Sequence, residues 1–204
     1  MYLGIDLGTS SMKCLLIGEG QELIKIVSSD EIYLSNLQSG WSEQDPKLWI
    51  QALNQCLLKL SQDINLKKIK SISFSGHMHG ATCLDKNNKV LRPCMMWNDT
   101  RSHKECKEIM SNNSVLDISG NIAMPGFTAP KVLWLKNNEQ KIFQQIYRVL
   151  LPKDYIRFYL TGEYFSDLSD AAGTYWLDVG QRKWSSELLD ASSMKLDQMP
   201  NLCE

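Results

Sequence analysis

Residues able to do chemistry fall into a few short stretches of the chain. The first is Gly4-Ile5-Asp6-Leu7-Gly8-Thr9-Ser10-Ser11, near the amino end. Two apolar runs, Tyr2–Leu7 and Met12–Ile17, flank a turn made of Gly8, Thr9, Ser10 and Ser11, a pattern that reads as a β-hairpin. Gly8 opens backbone conformations closed to other residues and lets a bulky group come close to the chain. Amide N–H groups and hydroxyls then converge on one concavity that suits a phosphate. Asp6 places a carboxylate beside it, a hard oxygen ligand for Mg²⁺, direct or through water, of the kind phosphoryl transfer uses. Lys13 adds a cation if it faces the same side. The competing reading is a surface hairpin whose Asp6 caps a turn.

The second stretch is Gly76-His77-Met78-His79-Gly80, which holds two of the three histidines. Alternate residues of an extended segment point the same way, so His77 and His79 could share a metal ion. A third ligand is needed, and no H-x-x-x-H pair or cysteine cluster supplies it. A polar recognition loop fits better, with imidazole bonding substrate hydroxyls and Met78 packing on a carbon skeleton. The alternative is two surface histidines flanking a buried methionine. In Trp97-Asn98-Asp99-Thr100-Arg101, an N-cap with a local Asp99–Arg101 ion pair is favoured over ligand contact. Asp167 and Asp170 lie in a Ser/Gly-rich stretch where turns are the default. Val132, Leu133 and Leu135 with Trp134 read as core.

Elements must position these groups. Glu22–Tyr33 has the Ile, Val and Leu of a third strand, giving an antiparallel meander. Ser35–Asp45 reads as a polar loop interrupted by Trp41. Asp45-Pro46 reads as an N-cap with proline in the first turn, and Leu48, Trp49, Ala52, Leu53, Cys56, Leu57 and Leu60 form the apolar stripe of a helix. Ile69–Ser75 alternates as a strand, so a mixed sheet covered by helices is expected. Further strands are expected at Ala81–Leu84 and Tyr147–Leu151, and Val90–Trp97 reads as extended, with Pro93 keeping part of it at an edge. Helices are expected from Asn98 through Ile109, interrupted at Asn112-Asn113-Ser114, then at Ala129–Leu135, from Pro152 to Gly162, and near Ser186–Ala191. Ser166–Gly173 reads as loop, and the carboxy-terminal residues show no closing element.

Bulk properties narrow the classes. The 204 residues suffice for a sizeable core. A formal net charge of −1, with no block of like charges, gives no support for a nucleic-acid or anionic-membrane partner. The six cysteines form no C-x-x-C pair or regular framework, and Cys14, Cys56 and Cys83 sit in apolar runs, so a reducing, cytoplasmic compartment is expected. No apolar run approaches the roughly 18 residues of a membrane span, and no signal peptide is visible.

Taken together, these pieces resemble the amino-terminal half of the FGGY carbohydrate kinases, in the superfamily of actin, hexokinase and the heat-shock ATPases. Gly4–Ser11 resembles that superfamily's first phosphate motif. Gly126-Phe127-Thr128-Ala129-Pro130-Lys131-Val132-Leu133-Trp134-Leu135-Lys136-Asn137-Asn138 resembles the family's own signature. Within the family, Trp41–Pro46, Met78–Thr82, Leu150–Tyr155 and Ser169–Thr174 are most similar to xylulokinases, with one departure at His77, where glutamine is expected.

The resemblance implies an α/β, actin-like ATPase or ribonuclease H-like fold with a mixed, five-stranded-type sheet covered by helices. Residues 1–204 would be the first of two domains, incomplete at the carboxy-terminal end. It implies ATP-dependent phosphorylation of D-xylulose, with Met78 and His79 on the sugar, Gly8, Thr9 and Ser10 around the phosphates, and Asp6 reaching Mg²⁺ through water; no residue is expected to bind metal directly. The aspartate that accepts the sugar's proton lies beyond residue 204 in such kinases, so the chain alone is expected to be inactive. A docking face makes self-association, as in a homodimer, an expectation. Other readings are a non-catalytic sugar-binding domain, the remnant of a decayed kinase gene, a kinase for L-ribulose, glycerol or gluconate, or an actin-like filament protein.

Overall fold

The computed structural model describes residues 1–35, 38–112 and 114–204. Parts of the loop expected at Ser35–Asp45 and of the interruption at Asn112–Ser114 therefore lie outside the described residues, at Asn36, Leu37 and Asn113. Strand β1 (Tyr2–Leu7) pairs antiparallel with β2 (Met12–Ile17), with Leu7 opposite Met12 and Asp6 opposite Lys13. Leu3, Ile5 and Leu7 point to one face with Met12, Cys14 and Leu16, all buried, as a period of two requires. Strand β3 (Leu23–Ser28) continues the meander but stops well short of Tyr33, which is exposed. The chain beyond it turns back so that Ile32 N–H donates to the Ser10 carbonyl (2.8 Å).

After the short β4 (Glu43–Gln44), helix α1 (Pro46–Ser61) begins as its sequence predicts. Asp45 Oδ1 accepts from the Lys47 amide at 2.9 Å, and Pro46 occupies the first turn, where it forfeits no hydrogen bond. Trp49, Ala52, Leu53, Cys56 and Leu60 are buried against the sheet. The helix is the crossover that lets β5 (Ser71–Gly76) return parallel to β1. The sheet runs β3-β2-β1-β5. It is mixed, as expected, but among the described residues it has four strands rather than five.

The remaining strands pair off in twos instead. β6 (Thr82–Leu84) lies beside β8 (Arg148–Leu150), β7 (Cys94–Met95) beside β4, β9 (Phe165–Asp167) beside β12 (Asn201–Cys203), and β10 (Leu177–Asp178) beside β11 (Lys183–Trp184). The turn after Gly76 diverts the chain from the large sheet, because His79 is left-handed, φ 65°. Helices α2 (His103–Ile109), α3 (Ser114–Ser119), α4 (Thr128–Asn138), α5 (Gln140–Phe143), α6 (Pro152–Thr161), α7 (Leu168–Ala172) and α8 (Ser186–Asp190) complete the chain. A second core gathers Val132, Leu133, Leu135, Val149, Trp176 and Leu188.

Three expectations need correction. Helix α2 starts at His103 rather than Asn98, because Asp99 draws the preceding residues into a turn: its carboxylate accepts from the Arg101 amide at 3.0 Å and from the Ser42 amide at 2.7 Å. Ser166–Gly173 is not a loop but the end of β9 followed by α7, with Asp167 Oδ1 capping the Asp170 amide at 2.9 Å. The carboxy-terminal residues, expected to lack a closing element, form β12 parallel to β9. Elements of three to five residues are too short to show a period. No helix among the described residues is long and apolar enough to cross a membrane.

Truncating Leu53, fully buried on α1, should cost about 2–5 kcal/mol in Leu53→Ala. Leu58→Ala, on the same helix at 66% exposure, should change stability by less than about 0.5 kcal/mol. Urea unfolding midpoints of the two variants test the assignment of the helix face, which equal losses would refute.

Candidate functional site

Strands β1 and β5 are parallel, adjacent and in register, with Leu7 beside Gly76. The Gly8–Ser11 elbow leaves β1 and the His77–Gly80 turn leaves β5 at the same carboxyl edge of the sheet, and the His77 amide donates to the Leu7 carbonyl at 2.9 Å. Ligands of α/β sheets commonly lie in the crevice outside such strand ends.

The elbow is tight. Gly8 N–H donates to the Ser11 carbonyl at 3.0 Å, and a Cβ on Gly8 would sit 2.9 Å from that oxygen, so glycine is required. The Thr9 carbonyl accepts from Gln44 Nε2 at 2.6 Å, and Gln44 Oε1 accepts from Trp49 Nε1 at 2.8 Å. The Thr9 hydroxyl accepts from Trp97 Nε1 at 3.1 Å. Ser10 is exposed. Asp6 and Lys13, directly opposed across the hairpin, are both exposed on the sheet face away from α1, so Lys13 does share the side of Asp6.

The two neighbouring histidines diverge. His77 is only 7% exposed, with its ring edge-on to Trp49 at 5.4 Å and both ring nitrogens without a partner. Burial, helped by nearby Lys131, pulls its pKa down to about 4. Met78 is exposed. The alternative of surface histidines around a buried methionine is thus reversed at both His77 and Met78. The left-handed backbone of His79 breaks the extended alternation that would have aligned the two rings. His79 Nδ1 lies 2.8 Å from the Gly173 carbonyl, and the ring packs on Phe127 with centroids 4.6 Å apart. Burial lowers its pKa, the Gly173 carbonyl opposes that shift, and Lys131 adds to it. Among the described residues no group of three His, Cys, Asp or Glu side chains could hold a metal ion.

Residues outside the expected set brace this edge. Lys131, on the buried face of α4, donates from Nζ to the His79 carbonyl at 3.1 Å, and so does the Thr128 hydroxyl at 3.1 Å. Lys131 is fully buried, and burial brings its pKa down to about 7 against the opposing pull of Cys94 and Asp99. Its signals in the sequence are a lysine inside an apolar stripe and a place in the Gly126–Asn138 signature. Trp97 links the elbow to the turn at Gly126: its indole meets Thr9, and a Cβ on Gly126 would fall 2.3 Å from its carbonyl oxygen. The expected Asp99–Arg101 ion pair forms, but the expected N-cap does not, since the residue that precedes α2 is Ser102. Arg101 Nε and Asp99 Oδ1 are 2.9 Å apart, Arg101 also reaches Glu43 at 2.6 Å, and its guanidinium lies 3.6 Å above the Trp41 ring.

Asp167 and Asp170 do more than form a turn. With Asp154 they hold Lys153 Nζ, at 2.5, 3.2 and 2.8 Å respectively. Burial pulls the Lys153 ammonium pKa down, and Asp154 and Asp170 more than reverse it.

The buried neutral imidazole of His77 links stability to pH. The unfolded chain takes up a proton near pH 6.5, whereas the folded chain resists until about pH 4. Stability is therefore lost as pH falls across that window, by up to about 3 kcal/mol from this group. In His77→Gln the drop in urea midpoint between pH 7.5 and pH 5 should shrink. An unchanged drop would refute the assignment.

Comparison with known proteins bears on this geometry. The family profile for the FGGY family of carbohydrate kinases, N-terminal domain, matches residues 1–204. A xylulose kinase from Escherichia coli K12 is 47% identical over 205 residues, covering 100% of this chain and 42% of that protein. Among solved structures, a xylulose kinase from Brucella ovis superimposes with a TM-score of 0.96 at 50% identity. A gluconate kinase from Lactobacillus acidophilus does so with 0.92 at 30%. Each match covers 100% of this chain and 42% of the relative, so the chain spans less than half the length of these proteins. The chain belongs to the FGGY family of carbohydrate kinases, its residues 1–204 matching the family's amino-terminal domain.

Proposed function

We propose that this chain forms the sugar-binding and phosphate-holding wall of an ATP-dependent kinase that converts D-xylulose to D-xylulose 5-phosphate. The in-register parallel pairing of β1 with β5 carries the reading, because it brings the elbow and the His79 turn to one edge. The elbow (Gly8, Thr9 and Ser10) receives the terminal phosphates of ATP on backbone amides and hydroxyls. Across the same edge, exposed Met78 lies against the sugar's carbon skeleton and His79 bonds a hydroxyl. The residues fit the nucleotide's metal as well: Asp6 is an exposed carboxylate two residues before the elbow, suited to a water-bridged Mg²⁺. When bound, Mg²⁺ supplies neutralisation of charge on the transferring phosphoryl group. This chain's residues contribute positioning, which such catalysis needs beside charge stabilisation.

Residues 1–204 act as an amino-terminal domain that is inactive by itself, since one wall of a cleft holds only one side of the transfer. The xylulose kinases at 47% and 50% identity support D-xylulose. The gluconate kinase at 30% identity keeps a second reading, a kinase for a sugar acid or another polyol. Six free cysteines, five of them buried, suit the reducing cytoplasm. The outer sheet face exposes Tyr2, Leu15, Leu23 and Ile26, an apolar surface through which two copies could associate. A net charge of −1 offers no footing for nucleic acid or an anionic membrane.

Calorimetric titration of the chain should show D-xylulose binding in preference to D-gluconate, weakened about tenfold or more in His79→Ala. Equal binding of both ligands, or an unaffected His79→Ala, would count against the sugar assignment. The purified chain should not hydrolyse ATP in response to D-xylulose. Turnover that disappears in Asp6→Asn would show that it is a complete kinase.

A further inference from the structure

We propose that Gly173, Thr128 and Lys131 form a socket that fixes the tautomer and aim of His79, so that Nε2 meets the substrate only as a hydrogen-bond acceptor. The inference rests on the reading of His79 as a sugar contact, and it names the kind of group that contact selects.

A carbonyl oxygen can only accept, so the 2.8 Å contact with the Gly173 carbonyl requires the proton to be on His79 Nδ1. Burial and the nearby Lys131 both disfavour a second proton, leaving a lone pair on Nε2. Nε2 has no protein partner among the described residues and is open to solvent, unlike the two buried ring nitrogens of His77. A neutral acceptor in that position takes an O–H group. It bonds neither a carbonyl nor a carboxylate or phosphate oxygen. The contact therefore selects a hydroxyl-bearing part of a neutral sugar over the acid end of an aldonate.

The backbone is held with equal care. A non-glycine residue at φ 65° is uncommon, and the His79 carbonyl has both lone pairs engaged, one by Thr128 Oγ1 and one by Lys131 Nζ. Gly173 itself has φ −72° and ψ −6°, a conformation open to any residue, so no backbone strain demands glycine. The ring does: a Cβ there would lie 2.5 Å from His79 Cε1 and 2.7 Å from Nδ1. Gly173→Ala is thus a substitution the local backbone tolerates and the imidazole does not. These three are positioning residues that act through His79.

The test uses the 204-residue chain labelled with ¹⁵N-histidine. Long-range ¹H–¹⁵N spectra report the tautomer of each ring, with His79→Ala supplying the assignment. The wild type should show His79 as Nδ1–H. Gly173→Ala should lose that signature and bind D-xylulose about tenfold more weakly, with an unchanged or raised Tm. Thr128→Val should behave similarly, and Thr128→Ser should restore both signature and affinity. An Nε2–H tautomer in the wild type overturns the proposal, as does wild-type affinity in both Gly173→Ala and Thr128→Val. If Thr128→Val does not fold, Gly173→Ala decides alone. If the wild type binds no D-xylulose, the sugar reading fails and the spectrum decides the socket: an Nδ1–H signature that survives in Gly173→Ala overturns it.

Discussion

Everything at the candidate site depends on one backbone pairing, the parallel ladder between β1 and β5. Two strands far apart in the chain can be parallel neighbours only if a crossover lies between them, and α1 provides it. The buried face of α1 then does a second job. Trp49, in its first turn, donates to Gln44, which in turn holds the Thr9 carbonyl, and its ring packs against His77. One core side chain thereby touches the supports of both loops, so the packing that stabilises the crossover also sets the spacing across the crevice.

Around this centre the chain uses buried ion pairs as struts. Glu43 Oε1 receives both Arg92 and Arg101 at 2.6 Å, and Lys153 gathers three aspartates. Desolvation offsets most of the Coulombic gain of such pairs, so their value here lies in geometry. The first network pins the turn that carries Trp97, whose indole completes the elbow. The second ties α6 to α7 and thereby places Gly173 against the His79 ring.

The relatives share this backbone closely. At 50% identity and a TM-score of 0.96 the backbone is shared closely with a xylulose kinase, while a gluconate kinase shares nearly as much of it at 30%. Fold alone therefore does not choose the sugar; in the reading proposed here that choice falls to single side chains at the edge. A backbone carbonyl against one ring nitrogen, as Gly173 stands against His79, leaves an imidazole with one donor and one acceptor in fixed places.

Local pattern reached a long way here. The hairpin, α1 with its Asp45 cap, and the placement of Gly8, Thr9 and Ser10 in a turn were readable because alternation, amphipathic spacing and capping are properties of neighbouring residues. The signatures around Gly4–Ser11 and Gly126–Asn138 pointed to the family for the same reason. Of the short elements after Phe165 only the helix near Ser186 was readable; α7 and the strands β9 to β12 were not, since two to five residues cannot display a period. Nor was the contrast between His77 and His79: identical side chains two residues apart become one buried ring without partners and one half-buried ring held on the Gly173 carbonyl. That difference comes from a left-handed backbone and from Thr128, Lys131 and Gly173, which lie 49, 52 and 94 residues away along the chain. Sequence alone determined which groups could do chemistry, whereas tertiary packing decided which atom of each faces the crevice, because long-range hydrogen bonds and steric contact set direction.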